Sequence, residues 1–186
     1  MIPTPDNEYC VVLDSCVLIP MPLCDILLRS AESPSLYCIA WSQQILDEIQ
    51  KNLSGPKFNY TENQAGRRIK TMNEAFPDAF HDVPQDIIDS IVGLPDPNDR
   101  HVVALAIHAH ASSIVTENLR DFPRSVLDPH HLAVISADEF LVNQFLLHPN
   151  SILEKLDAQA AGIRKDRKYI LSLLKNKVPR FCELCS

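Results

Sequence analysis

The stretch YCVVLD, residues 9–14, decides the fold: a short unbroken apolar run closed by the carboxylate of Asp14. A strand with one face in water alternates polar and apolar residues, whereas a continuous run of this length suits a strand buried on both faces, as in a parallel sheet. In open parallel sheets the carboxyl ends of the strands form the crevice where sites are built. Asp14 falls at that rim.

Working outward, helical spacing runs from Leu23 to Ala31, with Pro20 and Pro22 ahead of it. Residues 36–40 form a second candidate strand. Ser42 is placed to cap a helix in which Ile45, Ile49 and Leu53 recur at i, i+4, ended near Gly55-Pro56. Thr61 with Gln64 spells a capping box for a helix to about Phe76. Residues 82–94 suit a short helix, with residues 80–83 as a small strand. A clear helix opens at Asn98 or Asp99, strands follow at 113–116 and 132–135, and Ser136 with Glu139 opens a helix to about Leu147. Pro149 breaks it, and two further helical stretches follow. Strands alternating with helices predict an α/β fold around a mainly parallel sheet, organised as a body over 1–148 and a helical, basic extension over 149–186.

Composition agrees. The 186 residues are 46% hydrophobic and 22% charged, which suits a globular chain. No apolar run approaches the ~20 residues of a membrane span, and MIPTPDNEYC lacks the basic start and apolar stretch of a leader, so the expected location is cytoplasmic. Six cysteines fit a reducing compartment: Cys10, Cys16, Cys24 and Cys38 read as small core residues, and Cys182-x-x-Cys185 as an ornament of the tail, since zinc requires four ligands. The net charge of −7 is uneven. Residues 151–186 carry eight basic and four acidic side chains, a net of +4, which leaves −11 for the remainder. Acids that face a metal and cations that meet phosphate would divide in this way.

Asp14, Glu48, Asp99 and the Asn118/Asp121 pair each fall at a strand end, at a helix start or on a helix near the same rim. Hard oxygen ligands dispersed along a chain but convergent in space are what Mg²⁺ or Mn²⁺ binds. Taken singly, each has a plainer reading: Asp14 or Asp99 as a helix cap, Glu48 as a solvated acid beside Asp47, Asp96 as a turn initiator. Other chemistries fail. Cys16 has no activating histidine in view, it occupies the second position of what would be an aspartyl-phosphate Asp-x-Asp, and no Gly-rich phosphate loop exists. His101, His108 and His110 share one helix without the i, i+4 spacing of paired ligands and read as surface or satisfied core positions, His101 lying near the rim.

The ordered set Asp14-Ser-Cys-Val-Leu-Ile, Glu48, Asp96-Pro-Asn-Asp99-Arg-His and Val115-Thr-Glu-Asn118-Leu-Arg-Asp121-Phe resembles the PIN-domain family over residues 9–148, and within it the VapC-type ribonuclease toxins of toxin–antitoxin pairs. The resemblance implies a three-layer PIN-like fold and a Mg²⁺- or Mn²⁺-dependent endoribonuclease. Its metal ligands would be Asp14, Glu48, Asp99 and either Asn118 or Asp121, with Ser15, Asp96 and Thr116 orienting them. It also implies RNA as substrate, a small cognate antitoxin and a homodimer as partners. Arg67, Arg68, Arg100, Arg164 and Lys165 are the candidate RNA contacts. Two departures stand out: Ser15-Cys16 where the family often has Thr-Asn, and Asn118 where many relatives carry an acid. They motivate the alternative of a non-catalytic module that binds RNA or protein. A nuclease acting on DNA is a third reading.

Overall fold

The computed structural model describes residues 9–186; the first eight residues, on which the leader reading rests, lie outside that range. Four parallel strands form the sheet: β1 (Cys10–Leu13), β2 (Cys38–Ala40), β3 (Ser113–Val115) and β4 (Ala133–Ile135), in the order β2-β1-β3-β4. The expected parallel α/β architecture is observed. Val11, Val12 and Leu13 are wholly buried, because β1 is central and covered on both faces. A bridge between Trp41 and Phe80 extends the β2 edge, and it is all that forms of the small strand anticipated at 80–83.

The first connection, α1 (Ser15–Leu18) and α2 (Met21–Ala31), carries the chain to β2 on one side of β1. Helices α3 (Gln43–Leu53), α4 (Glu62–Ala75), α5 (Gln85–Ser90) and α6 (Arg100–His108) then return it to β3 on the other side. The order therefore reverses between β1 and β3, and their carboxyl ends meet at that switch point, where open α/β sheets build their sites. Short α7 (Arg124–Leu127) precedes β4, and α8 (Ala137–Leu147) follows it.

Local signals account for most boundaries. The Thr61/Gln64 capping box forms in full, and Ser136 accepts from the Glu139 N–H. Ser42 stands at the head of α3, but its hydroxyl makes no cap bond there. Pro149 begins α9 (Pro149–Gly162) at a position where its missing N–H costs nothing. Beyond it come α10 (Arg167–Leu174) and α11 (Pro179–Leu184), one helix more than the two stretches expected. All three pack onto the body, α9 against α2 and α8, and α11 against α8. Cys182 and Cys185 are buried in that packing rather than ornamental, whereas Cys38, expected in the core, is exposed. Among the described residues no helix is long and apolar enough to cross a membrane.

Candidate functional site

Asp14 leaves β1 at its carboxyl end, where its N–H donates to the Val115 carbonyl of the neighbouring strand, 3.1 Å away. It heads α1 without its side chain capping that helix. The carboxylate is instead held from three directions, and only 6% of the residue is exposed. Thr116, one residue past β3, donates its hydroxyl to Asp14 Oδ2 at 2.6 Å; the Cys16 thiol donates to the same oxygen at 3.2 Å and the Ser15 hydroxyl to Oδ1 at 3.3 Å. The Thr116 hydroxyl is in turn fixed by the Asn118 N–H at 3.0 Å. Cys16, standing where relatives often carry an amide, keeps a hydrogen bond to Asp14. Burial, then the Asp14 charge, pushes its thiol up to about 12, so it stays protonated and is no nucleophile.

Glu48 projects from α3 toward the same rim, while Asp47 beside it is exposed and bonded by Gln43, which settles the helix phase. Its Oε1 lies 2.9 Å from His101 Nε2. Burial pushes the Glu48 carboxyl up, but hydrogen bonds from His101 and Ser15, with Lys51 nearby, outweigh that and hold it below its ordinary value. His101 is 8% exposed, neither a surface residue nor a satisfied core one, because its Nδ1 is buried without a partner. Sequence reasoning passed over it; its place two residues after Asp99, on the first turn of α6, was the available signal.

Asp99 stands at the head of α6 and makes no side-chain cap bond. Asp96 accepts from the Asn98 N–H at 2.9 Å and so starts the turn, as its plainer reading had it. A helix N-terminus favours a carboxylate by about 0.3–1 kcal/mol. Here the opposite influence wins: burial, then the charges of Asp14, Asp96, Asp121 and Glu48, pushes Asp99 up to about 6. Asp121, half-buried on a single 3₁₀ turn over Leu119–Asp121, belongs to the acids that act on Asp99. Asn118 is exposed and contributes its N–H to Thr116.

This donor set suits a hard divalent cation. Every candidate donor is an oxygen, and among the described residues Asp14, Asp96, Asp99 and Asp121 have no Lys or Arg ion-pair partner. Among the described residues no three His, Cys, Asp or Glu side chains stand close enough together to hold a metal ion as they are placed. An open rim is compatible with Mg²⁺, which keeps several waters and takes one or two carboxylates.

The candidate RNA contacts separate. Arg68 is half-buried and donates both terminal nitrogens to backbone carbonyls, to Ile19 at 3.0 Å and to Leu18, closing the end of α1. Arg100 is half-buried with its Nε unpartnered. Arg67, Arg164 and Lys165 are exposed, and the Lys165 ammonium stacks over Tyr169 at 5.1 Å.

A parallel sheet with acids gathered near its switch point indicates the class of protein, and comparison with known families agrees. The model of the PIN domain matches residues 10–120, and the chain belongs to the PIN-domain family. That match spans Asp14, Glu48, Asp99, Thr116 and Asn118; Asp121 lies one residue beyond it. The chain is also 39% identical over 64 residues to the "Putative ribonuclease VapC50" of Mycobacterium tuberculosis (strain ATCC 25618 / H37Rv). The matched stretch covers 32% of this chain and 38% of that relative. No solved structure gives a significant match.

Proposed function

We propose that the protein is a divalent-metal-dependent endoribonuclease, the toxin of a toxin–antitoxin pair acting in the cytoplasm. The observation that carries this is the gathering of Asp14, Glu48, Asp99 and Asp121 at one rim, where burial, and after it the charges of Asp14, Asp96, Asp121 and Glu48, push Asp99 up to about 6. Mutual repulsion of that kind is relieved by a cation. Asp14, Glu48, Asp99 and Asp121, with the Asn118 amide oxygen in reserve, would hold Mg²⁺ or Mn²⁺. Such an ion, when bound, lowers the pKa of a coordinated water and offsets charge on phosphoryl oxygens.

The chain's own groups supply the rest. Thr116, Ser15 and Cys16 fix the rotamer of Asp14 before any ligand arrives, and Asp96 sets the turn that presents Asp99. Asp99, pushed up in the absence of metal by burial and by its acidic neighbours, is the carboxyl whose ionisation a bound cation would favour most. Arg67, Arg100, Arg164 and Lys165 are the cations available to RNA phosphates. The partial match to a VapC-named relative supports the toxin reading and with it an antitoxin partner; a homodimer is part of the same proposal and rests on the family resemblance alone.

Treatment of an RNA pool with purified protein in Mg²⁺, Mn²⁺ and EDTA tests the proposal, with cutting expected in metal alone. Full activity in EDTA would sink it. Matched DNA strands in parallel reveal whether grip extends to DNA. Cys16 and Asn118, standing in place of an amide and an acid, favour a second reading as a module that binds RNA without cutting. RNA binding unchanged by Asp14→Asn, with no cleavage by the wild type, would support that reading instead.

A further inference from the structure

We infer that His101 is the positioning residue for Glu48, and that through Glu48 it sets how tightly the rim holds a divalent cation; this rests on the metal-dependent reading above. The contact joins residues 53 positions apart, α6 to α3, at 2.9 Å between His101 Nε2 and Glu48 Oε1. The other ring nitrogen identifies the tautomer. Nδ1 is buried with no acceptor, so the ring proton belongs on Nε2, where it is donated to Glu48. With Oε1 so engaged, that side chain loses much of its rotameric freedom.

A purely structural role explains the arrangement less well. Burying a ring nitrogen without a partner is a cost that an apolar residue at this position would avoid. Glu48, by contrast, has 37% of its side chain exposed and reaches water without help. What His101 provides is direction: a carboxylate turned toward Asp14 and Asp99 rather than left to sample solvent. Residues 99–101 thus perform two tasks in one helical turn, presenting Asp99 at the rim and tethering Glu48 beside it.

The test is calorimetric titration of Mn²⁺ into the full chain, with thermal unfolding in EDTA as a control on the fold. His101→Phe keeps the ring and removes the donor. His101→Gln restores an N–H near the position of Nε2. His101→Leu replaces the Phe variant if that ring does not fit. Outer partners of metal ligands typically contribute 10–100-fold in affinity, so the donor-less variant should bind Mn²⁺ about tenfold or more weakly, with His101→Gln recovering most of the loss. Wild-type affinity in a folded donor-less variant would overturn the role of His101 alone. A wild type that binds no Mn²⁺ would overturn the reading of the rim and this role with it.

Discussion

Asp14 accepts hydrogen bonds from Thr116, Cys16 and Ser15, and they differ in what their loss should do. Thr116 is fully buried and also accepts from the Asn118 N–H, so Thr116→Val strands that donor and leaves Asp14 Oδ2 with the weaker Cys16 thiol alone, with little change of shape. The expected cost is about 1–2 kcal/mol in urea unfolding and roughly tenfold in metal-dependent cleavage. Unchanged cleavage would mean that Asp14 does not need its hydroxyl clamp. Asp99 provides the pH test. Its folded pKa, about 6, lies above the ordinary value of 3.8, so the folded state binds this proton more tightly. The penalty on folding is therefore absent below about pH 4, grows as pH rises, and is complete above about 6. Asp99→Asn should raise the metal-free melting temperature at pH 7.5 and leave it nearly unchanged at pH 4. Screening at this partly exposed group trims the gain to about 1 kcal/mol, a few degrees for a chain of this size. A variant less stable than wild type at pH 7.5 in EDTA would contradict the penalty that burial and the neighbouring acids place on ionised Asp99.

Among the elements, α1 is short and depends on a distant guanidinium. Arg68 on α4 closes it through the carbonyls of Leu18 and Ile19, which holds the turn that carries Ser15 and Cys16. Arg68→Met should lose about 2 kcal/mol of stability, since charged hydrogen bonds contribute about 1.5–3 kcal/mol. Exposed Arg67 should behave in the opposite way: Arg67→Ala leaves stability intact and, if Arg67 meets a phosphate, lowers the salt slope of RNA binding by about one. Equal effects on the two measurements from both variants would erase this division of labour. The contrast also marks what was legible beforehand. Two arginines side by side on one helix carry no local sign of which faces a carbonyl and which faces water. The strand of YCVVLD, the Thr61/Gln64 box and the helix after Asp99 were legible because their signals are local: apolar continuity, cap chemistry, period. Helix α1 was missed because four residues display no period, and α11 because Pro179 reads as a stop before it reads as a start. Asp14 was legible as a strand end and Asp99 as a helix start, whereas Glu48, in the middle of α3, carried no such local signal. Nor did the contact of His101 with Glu48, since it depends on how α6 lies against α3.

Over the whole molecule, the extension at 149–186 finishes the core rather than trailing from it. Ile152, Leu156, Ile170, Leu174, Val178 and Phe181 are buried; Gln159 donates to the Pro22 carbonyl at 2.9 Å, and Asp138 of α8 accepts from the Phe181 N–H at 3.0 Å. Each large apolar side chain so buried contributes about 1.5–3 kcal/mol. Truncation after His148 should therefore yield an insoluble or poorly folded body, as judged by circular dichroism; a soluble truncated chain with native melting would show that the body stands alone. The central claim, that the acidic rim works with a divalent cation to cut RNA, meets its most direct test in one measurement: cleavage of a mixed RNA pool in Mg²⁺, Mn²⁺ and EDTA by the wild type beside a folded Asp14→Asn variant. The prediction is cutting in metal, none in EDTA, and a loss of about a hundredfold or more in the variant, the upper end of what even outer partners of a metal ligand contribute. Cutting that survives both EDTA and Asp14→Asn would contradict it.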